Sequence, residues 1–394
     1  MIAADRPVQR SPGSRLLVVD ADGVIADVPR ARFVDFLHRG DLVVANDAAT
    51  LPASLRGVHE PTGLPLEVRL AGRASLAPAD VRDFTAVLFG GGDYHARTED
   101  RPLPPPMQPG DRLLLGPLSA RLVGWLDHPR LVALRFDGSP ETIWAGLARH
   151  GRPIQYAHLP APLDLWDVWT PIAGPPAAFE PPSAGFVLDW RTIRALGGRG
   201  IGFVTLTHAA GISSTGDEEL DRRLPFDEPY RIPETTAAAI VEVRARGGRV
   251  VAVGTTVVRA LEHAAAADGV VRAGDEVASG RIGPASRLRV VDAILSGTHE
   301  PGSSHYELLR AFADDGTLAR ASAELEARGY RTHEFGDSVL IERCRKCVRL
   351  RLPVQRAGRE FRCTPGSSRV RPASRSSSSR LPHPYWSRRI RTSP

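Results

Sequence analysis

A predicted strand-to-helix junction offers the clearest binding chemistry in this sequence of 394 residues. The run GGRVVAVGTTVVRALE predicts a buried strand that ends in Gly254-Thr255-Thr256, followed by a helix over 257–267. Backbone N–H groups and hydroxyls at such a helix start suit a carboxylate or a phosphate. Arg259 and Glu262 fall on one face of this helix, three residues apart. Threonine capping and a surface ion pair are the alternative interpretation.

An acidic pair follows the first predicted strand. Asp20 and Asp22, in VVDADGV, imitate the nucleophile motif of haloacid-dehalogenase-type phosphatases, and an Mg²⁺-dependent phosphohydrolase is therefore one alternative function. Such enzymes usually place a lysine on the phosphate, whereas Lys346 is the only lysine here. The D-x-D-G pattern is also good turn chemistry, and we favour a hairpin turn.

The three cysteines predict neither disulfides nor a metal site. Cys344, Cys347 and Cys363 all lie near the C-terminus, and the rest of the chain has none. A structural zinc site needs four closely spaced ligands, so this CxxC pair is interpreted as incidental. Without a disulfide framework, and with no signal-like N-terminus and no apolar run long enough for a membrane helix, a cytoplasmic protein is expected.

The positive charge is concentrated in the last part of the chain. From Arg343 onward there are 15 basic residues and one acid, a net of +14, which leaves −8 for residues 1–342 out of the total of +6. The Arg/Ser/Pro-rich composition of residues 343–394 predicts disorder. A noncatalytic RNA-binding protein driven by this tail is another alternative function.

The remaining patterns predict an α/β fold with an inserted antiparallel β-barrel. Buried strands alternate with helices after residue 190, as in GIGFVTLTH, RVVAVGTT and LRVVDAIL, and helices are predicted over 140–150 and 233–246. Short runs between residues 64 and 136 are separated by Gly, Pro and Asp turns, which is typical of a compact antiparallel barrel or sandwich. The predicted domains are a discontinuous α/β catalytic domain (1–58 and 150–342), the inserted barrel (59–149) and the tail (343–394).

An ordered set of motifs resembles the S-adenosylmethionine:tRNA ribosyltransferase-isomerase family of queuosine biosynthesis. The set runs from about residue 14 to residue 341 and comprises SRLLVVD, GDLVVAND…LPASLRG, PPSAG, FVTLTHAAG, GGRVVAVGTTVVRALE, RLRVVDAILSGTHEPGSS and EFGDSVLI. The resemblance implies a cytoplasmic monomer that transfers and isomerises the ribosyl group of S-adenosylmethionine onto a 7-aminomethyl-7-deazaguanine base in tRNA, giving epoxyqueuosine. S-adenosylmethionine is then a consumed donor, and no metal or membrane is expected.

The same resemblance supplies the candidate site residues. Candidate catalytic residues are Asp47, His299 and Asp337, with either aspartate as base or amine partner and His299 as acid or base. Thr255 and Thr256 would hold the polar end of the ligand, and Arg259 would pair with a carboxylate. The full set of candidate substrate-binding residues is Asn46, Gly185, His208, Gly211, Gly254, Thr255, Thr256, Arg259 and Glu262.

Several polar residues of the family pattern are replaced. The N-D-T-R element reads Asn46-Asp47-Ala48-Ala49, the His of T-A-G-L-H-F is Val187, the His of L-H-V-G is displaced by one position to His208, and the lysine of H-L-P-K is Gly302. Charge-assisted contacts of this kind are worth roughly 1.5–3 kcal/mol each. A divergent relative that acts on another nucleoside or sulfonium substrate is therefore also open.

Overall fold

A mixed nine-stranded sheet is the largest element of the computed structural model, which describes residues 1–344. From one edge to the other its strands are Gly274–Ala278, Glu228–Ile232, Gly202–His208, Leu42–Asn46, Val250–Val253, Ala293–Gly297, Ser338–Glu342, Arg15–Val19 and Ile25–Pro29. The third to sixth strands of this order are mutually parallel. Their carboxyl ends therefore meet along one edge of the sheet.

The central strands are apolar on both faces because both faces of the sheet are covered. In Leu42–Asn46, Leu42 and Val44 pack into one apolar cluster, whereas Val43 and Ala45 pack into another. The α-helices of the described chain are Pro140–His150, Leu165–Val168, Trp190–Gly198, Glu218–Asp221, Glu234–Ala245, Thr255–Ala264, Ser304–Leu309 and Asp315–Ala327. Short 3-10 helices occupy Arg30–Phe36, Thr98–Asp100 and Ser183–Val187.

The second sheet is a closed six-stranded antiparallel barrel. Its strands, in order around the barrel, are Leu118–His128, Leu131–Phe136, Asp83–Gly90, Pro65–Gly72, Ser54–His59 and Arg112–Leu115. Alternate side chains such as Leu66, Val68 and Leu70 fill its core. Two small parallel pairs complete the strands, Ile2–Ala3 with Arg331–Thr332 and Ala49–Thr50 with Pro176–Ala178. The predicted fold class, α/β with an antiparallel barrel, is confirmed.

One predicted strand begins later in the structure than the sequence pattern indicates. The segment LRVVDAIL is predicted to be a strand throughout, but the strand begins only at Ala293. The reason is that the backbone N–H groups of Arg289, Val290 and Val291 donate to the side chain of Glu262 instead of to a neighbouring strand.

The hairpin turn at Asp20 is present as predicted. The Asp20 carboxylate accepts the N–H groups of Asp22 and Val24, each at 2.9 Å.

The predicted domain boundaries stay a prediction, and the predicted disordered tail lies almost wholly outside the described residues. The tail-driven RNA-binding alternative and two of the three cysteines, Cys347 and Cys363, fall in that part of the chain as well. Within residues 1–344, no helix is both long and apolar enough to cross a membrane.

Closure of the barrel requires a glycine at position 57. A Cβ there would fall well inside van der Waals contact of the Leu114 carbonyl oxygen, on the strand that closes the barrel. We predict that Gly57→Ala lowers the free energy of unfolding by roughly 1–3 kcal/mol, because backbone cannot yield as a flexible side chain can. Urea-induced unfolding measures the change.

Gly124→Ala is the matched control. Gly124 also lies in a barrel strand, but its Cβ would meet no atom within 4 Å. Equal losses of stability in the two variants would contradict the steric explanation.

Candidate functional site

The main cavity opens at the carboxyl edge of the parallel strands and has a volume of about 960 Å³. Gly254 follows the strand Val250–Val253 and caps the helix Thr255–Ala264 with φ +98°, a conformation that favours glycine. Gly254, Thr255 and Thr256 all line the cavity. The helix begins at Thr255, two residues earlier than the sequence predicted, so that the positive end of a ten-residue helix faces the cavity.

Asn46 joins this junction to the neighbouring strands. Its side-chain amide donates to the His208 carbonyl at 3.0 Å and lies 3.4 Å from the Thr256 hydroxyl. Its amide oxygen accepts the N–H groups of Ala48 and His208. Asn46 is buried, and its contacts hold the ends of two parallel strands against the helix start.

The carboxylate of Asp47 accepts hydrogen bonds from other residues of the protein. Its two carboxylate oxygens accept the hydroxyls of Thr205 at 2.8 Å and Thr207 at 2.6 Å. Asp337 is placed similarly, since its oxygens accept the backbone N–H groups of Arg15 and Arg331. Neither aspartate lines the two cavities described for residues 1–344.

Arg259 reaches the cavity wall, but its charge already has a partner. It forms a buried ion pair with Glu228, and its other terminal nitrogen donates to the carbonyls of Phe226, Ala278 and Gly280 at 3.1–3.2 Å. Sequence reasoning missed Glu228. The signal available was its spacing of two and four residues from Tyr230 and Ile232, which places all three side chains on one face of the strand.

His208 lies behind this ion pair. The imidazole is completely buried, and Nε2 is 3.5 Å from a carboxylate oxygen of Glu228. Among the described residues, neither ring nitrogen has a hydrogen-bond partner. Burial, together with the charge of Arg259, lowers the pKa of His208 well below its ordinary value, so the ring is neutral. Its neighbour in the cavity wall is Gly211, whose N–H donates to Glu228 at 2.6 Å.

The glycines of the wall are required by close contacts. A Cβ on Gly211 would come within 2.7 Å of the Glu228 carboxylate. Gly185 lies one residue beyond the lining residues Ser183 and Ala184, and a Cβ there would come within 3.1 Å of Thr170. Both positions thus shape the wall through backbone rather than through side-chain chemistry.

Glu262 points away from the cavity, into the protein. Its carboxylate accepts three successive backbone N–H groups, those of Arg289, Val290 and Val291, at 2.6, 3.0 and 2.8 Å. These contacts fix the segment that leads into the strand Ala293–Gly297. The contacts of Glu262 are therefore those of a structural residue.

His299 lies where the main cavity meets a second, smaller cavity of about 520 Å³, and it lines both. Its Nε2 is 2.9 Å from the hydroxyl of Ser296, and its ring stacks on His305 with centroids 4.7 Å apart. Burial and the neighbouring His305 and His333 lower the pKa of His299 well below its ordinary value. A neutral ring has one donor and one acceptor nitrogen, so it can take up a proton at one nitrogen and donate a hydrogen bond to a leaving group from the other.

Glu180 also lines both cavities, and sequence reasoning missed it. The carboxyl is buried, and the hydroxyl of Tyr156 donates to it and to the Ser214 carbonyl. Burial and the nearby charge of Glu334 raise the pKa of Glu180 to about 7. Its position directly before the PPSAG motif was the one available signal.

Replacing Glu228, the ion-pair partner of Arg259, tests whether the buried charges in this cavity wall must be balanced. We predict that Glu228→Gln lowers the free energy of unfolding by roughly 3–5 kcal/mol, because it leaves a buried guanidinium without a counter-charge. Asp275→Asn breaks the exposed pair with Arg231 and should cost less than about 1 kcal/mol. Urea-induced unfolding measures both, and similar losses in the two variants would contradict a buried, charge-balanced wall.

Comparison with protein families gives a match along nearly the whole described chain. A family described as queuosine biosynthesis protein is matched over residues 1–341. A relative from Sorangium cellulosum named S-adenosylmethionine:tRNA ribosyltransferase-isomerase is 34% identical over 363 residues, covering 86% of this chain and 95% of the relative. One of the same name from Citrifermentans bemidjiense is 32% identical, covering 86% and 96%.

A solved structure gives a further match. It is the crystal structure of S-adenosylmethionine tRNA ribosyltransferase from Thermotoga maritima, which is 24% identical in sequence. The alignment covers 86% of this chain and 96% of that one, with a TM-score of 0.46.

Proposed function

This chain belongs to the queuosine biosynthesis protein family, and from that premise we propose that it is a tRNA-modifying transferase and isomerase. It would transfer and isomerise the ribosyl group of S-adenosylmethionine onto a 7-aminomethyl-7-deazaguanine base in tRNA, giving epoxyqueuosine. The observation that carries the proposal is the polar helix start at Gly254–Thr256 facing a cavity lined by His299. We further propose that the enzyme acts in the cytoplasm as a monomer and that the reaction uses no metal, as the family resemblance implies.

The helix start supports binding of the methionine end of the donor. The donor carries a carboxylate, which the positive end of a helix stabilises by about 0.3–1 kcal/mol even at an exposed site. Thr255 and Thr256 add hydroxyl donors, and Asn46 holds Thr256 in place. We assign the carboxylate to this helix start rather than to Arg259, because the guanidinium is already neutralised by Glu228.

The proton transfers would take place where the two cavities meet. The reaction requires a base for the acidic proton beside the sulfonium and a donor that assists the departure of adenine. We propose His299 as the donor and Glu180 as the base, since both side chains line the cavities. Asp47 and Asp337 are less suited to the base role because protein donors already occupy their carboxylate oxygens.

A divergent reaction is the second candidate, and the Asn46-Asp47 element favours it. Where the family pattern has an arginine, this chain has Ala49, which is 5% exposed and belongs to a two-stranded pair. The adjacent Ala48 packs with other alanines in a small apolar cluster. Because apolar packing stands where the family pattern has a charged residue, the chain would act on another nucleoside or sulfonium substrate.

The test is release of adenine by the full-length protein from S-adenosylmethionine. We predict release only when tRNA containing the aminomethyl deazaguanine is present, and a kcat reduced roughly 10²–10⁴-fold in His299→Gln, because a positioned proton donor contributes a factor of that size. Glu180→Gln should also lower kcat. Adenine is measured by chromatography.

Controls separate these effects from loss of folding. His263→Gln removes a histidine that contacts Tyr230 instead of a cavity, and Glu242→Gln removes an exposed carboxylate paired with Arg246. Both should keep the parental kcat. No release above a blank with any tRNA would contradict the proposed function, whereas release that does not depend on the deazaguanine would support the divergent reaction.

A further inference from the structure

The smaller cavity is lined by histidine and glutamate residues from distant parts of the chain. Its lining includes four histidines, and the whole sequence contains twelve. The lining residues of these two types are His158, His299, His305, His333, Glu99, Glu180, Glu300 and Glu334. The proposed transferase chemistry uses His299 and Glu180. It gives no reason for the imidazoles of His158 and His333 or for the carboxylate of Glu334.

Three of these side chains have the arrangement of a metal-ligand set. Nε2 of His158 is 3.3 Å from a carboxylate oxygen of Glu334, and the ring of His333 stacks on that of His158 with centroids 4.3 Å apart. One donor atom from each residue lies within 4.8 Å of the others. Tetrahedral bonds of about 2.0–2.1 Å to zinc place ligand atoms roughly 3.3 Å apart. Because a metal lies in the plane of the imidazole that binds it, one of the two stacked rings must turn out of the stack to close the set around an ion.

The backbone holds the second half of this set in an unusual conformation. His333 has φ +68°, which is rare for a residue with a side chain. Its loop is fixed by the Asp337 carboxylate on the Arg331 amide and by a 3.0 Å bond from the Gly336 N–H to the His333 carbonyl. The ring of His333 is thereby kept beside His158, which lies 175 positions earlier in the sequence.

A simple ion pair explains less of this geometry. The contact between His158 and Glu334 involves only two of the three side chains and gives no role to the imidazole of His333 beside them. The donors are two nitrogens and one oxygen, a set that suits zinc and similar first-row ions rather than Mg²⁺ or Ca²⁺, which prefer oxygen alone. Glu300, in the same lining, adds negative charge that favours a cation.

We propose that His158, His333 and Glu334 bind one divalent transition-metal ion such as Zn²⁺, with an open coordination position facing the smaller cavity. The side chains of His158 and Glu334 are 16% and 18% exposed, and His333 is exposed, so an ion can enter from solvent. This site is separate from the helix start of the main cavity and does not depend on the proposed transferase reaction.

The experiment is a Zn²⁺ titration of the full-length chain by calorimetry, with metal content checked by mass spectrometry. The background protein carries Cys344→Ser, Cys347→Ser and Cys363→Ser, so that cysteines near the C-terminus do not bind the ion. We expect one ion per chain. His333→Gly and Glu334→Gln should each weaken binding by at least tenfold, since loss of even an outer partner of a metal ligand costs about 10–100-fold.

His333→Gly removes the imidazole and at the same time relieves the positive φ, so it should fold as well as the parent. Asp127→Gly is its matched control, because Asp127 is the other non-glycine residue of positive φ within residues 1–344 and lies outside this cluster. His95→Gln removes a surface histidine paired with Asp93. Both controls should bind Zn²⁺ as the parent does.

Co²⁺ replaces Zn²⁺ as a spectroscopic probe, and its visible absorption should be lost in His333→Gly. The proposal is overturned if the parent binds no Zn²⁺, or if His333→Gly and Glu334→Gln both retain the parental affinity.

Discussion

The parallel pairing of four central strands is the constraint on which the site depends. Parallel strands end together, and their carboxyl ends form the edge where ligands bind in α/β sheets. The residues brought to this edge are Asn46, His208, Gly254 and Gly297. They are separated by up to about 250 positions in the sequence, and the register of the sheet alone makes them neighbours. A change that shifted this register by one residue would turn each of them to the opposite face.

Buried polar groups behind the cavity are held by protein partners, which leaves the helix start to the ligand. Arg259 is balanced by Glu228, Glu262 is occupied by three amides, and the Asp47 oxygens are occupied by two threonines. These three charged groups are fully paired, although the His208 ring behind them is not, and paired charges of this kind are held rigidly because any loosening would expose them unpaired at low dielectric. The wall can therefore keep the helix start in place without help from a ligand.

Sequence patterns predicted what depends on local periodicity. The helix Pro140–His150 has the predicted bounds, since Ser139 caps it and proline occupies its first turn. The barrel strands were recognisable from their turns and alternating side chains. The strand that begins at Ala293 was placed too early, because the apolar run before it gives no sign that Glu262 binds its amides. A contact between positions so far apart leaves no local pattern.

In the candidate site, too, the sequence predicted only what depends on neighbouring residues. The strand-to-helix junction around Gly254 was predictable because strand, glycine and threonines are adjacent in sequence, although the helix begins two residues before the predicted Val257. The sequence signals at Glu228 and Glu180 were weak, and only their tertiary contacts with Arg259 and Tyr156 show what the two acids do. The ligand set in the smaller cavity combines residues 158 and 334, and no spacing rule joins positions so distant.

Charged residues line the two cavities in different proportions. Residues 1–342 carry a net charge of −8, so an RNA ligand must rely on local basic groups. The main cavity is lined by Arg222, Arg259 and Arg281 together with Glu180, Glu218, Asp221, Glu228 and Glu307. The smaller cavity is lined by Arg97 and by Glu99, Glu180, Glu300 and Glu334, which favours a cation over a phosphate. Because arginines are a larger share of the charged lining in the main cavity, we expect tRNA phosphates to approach there and small cations to enter the smaller cavity.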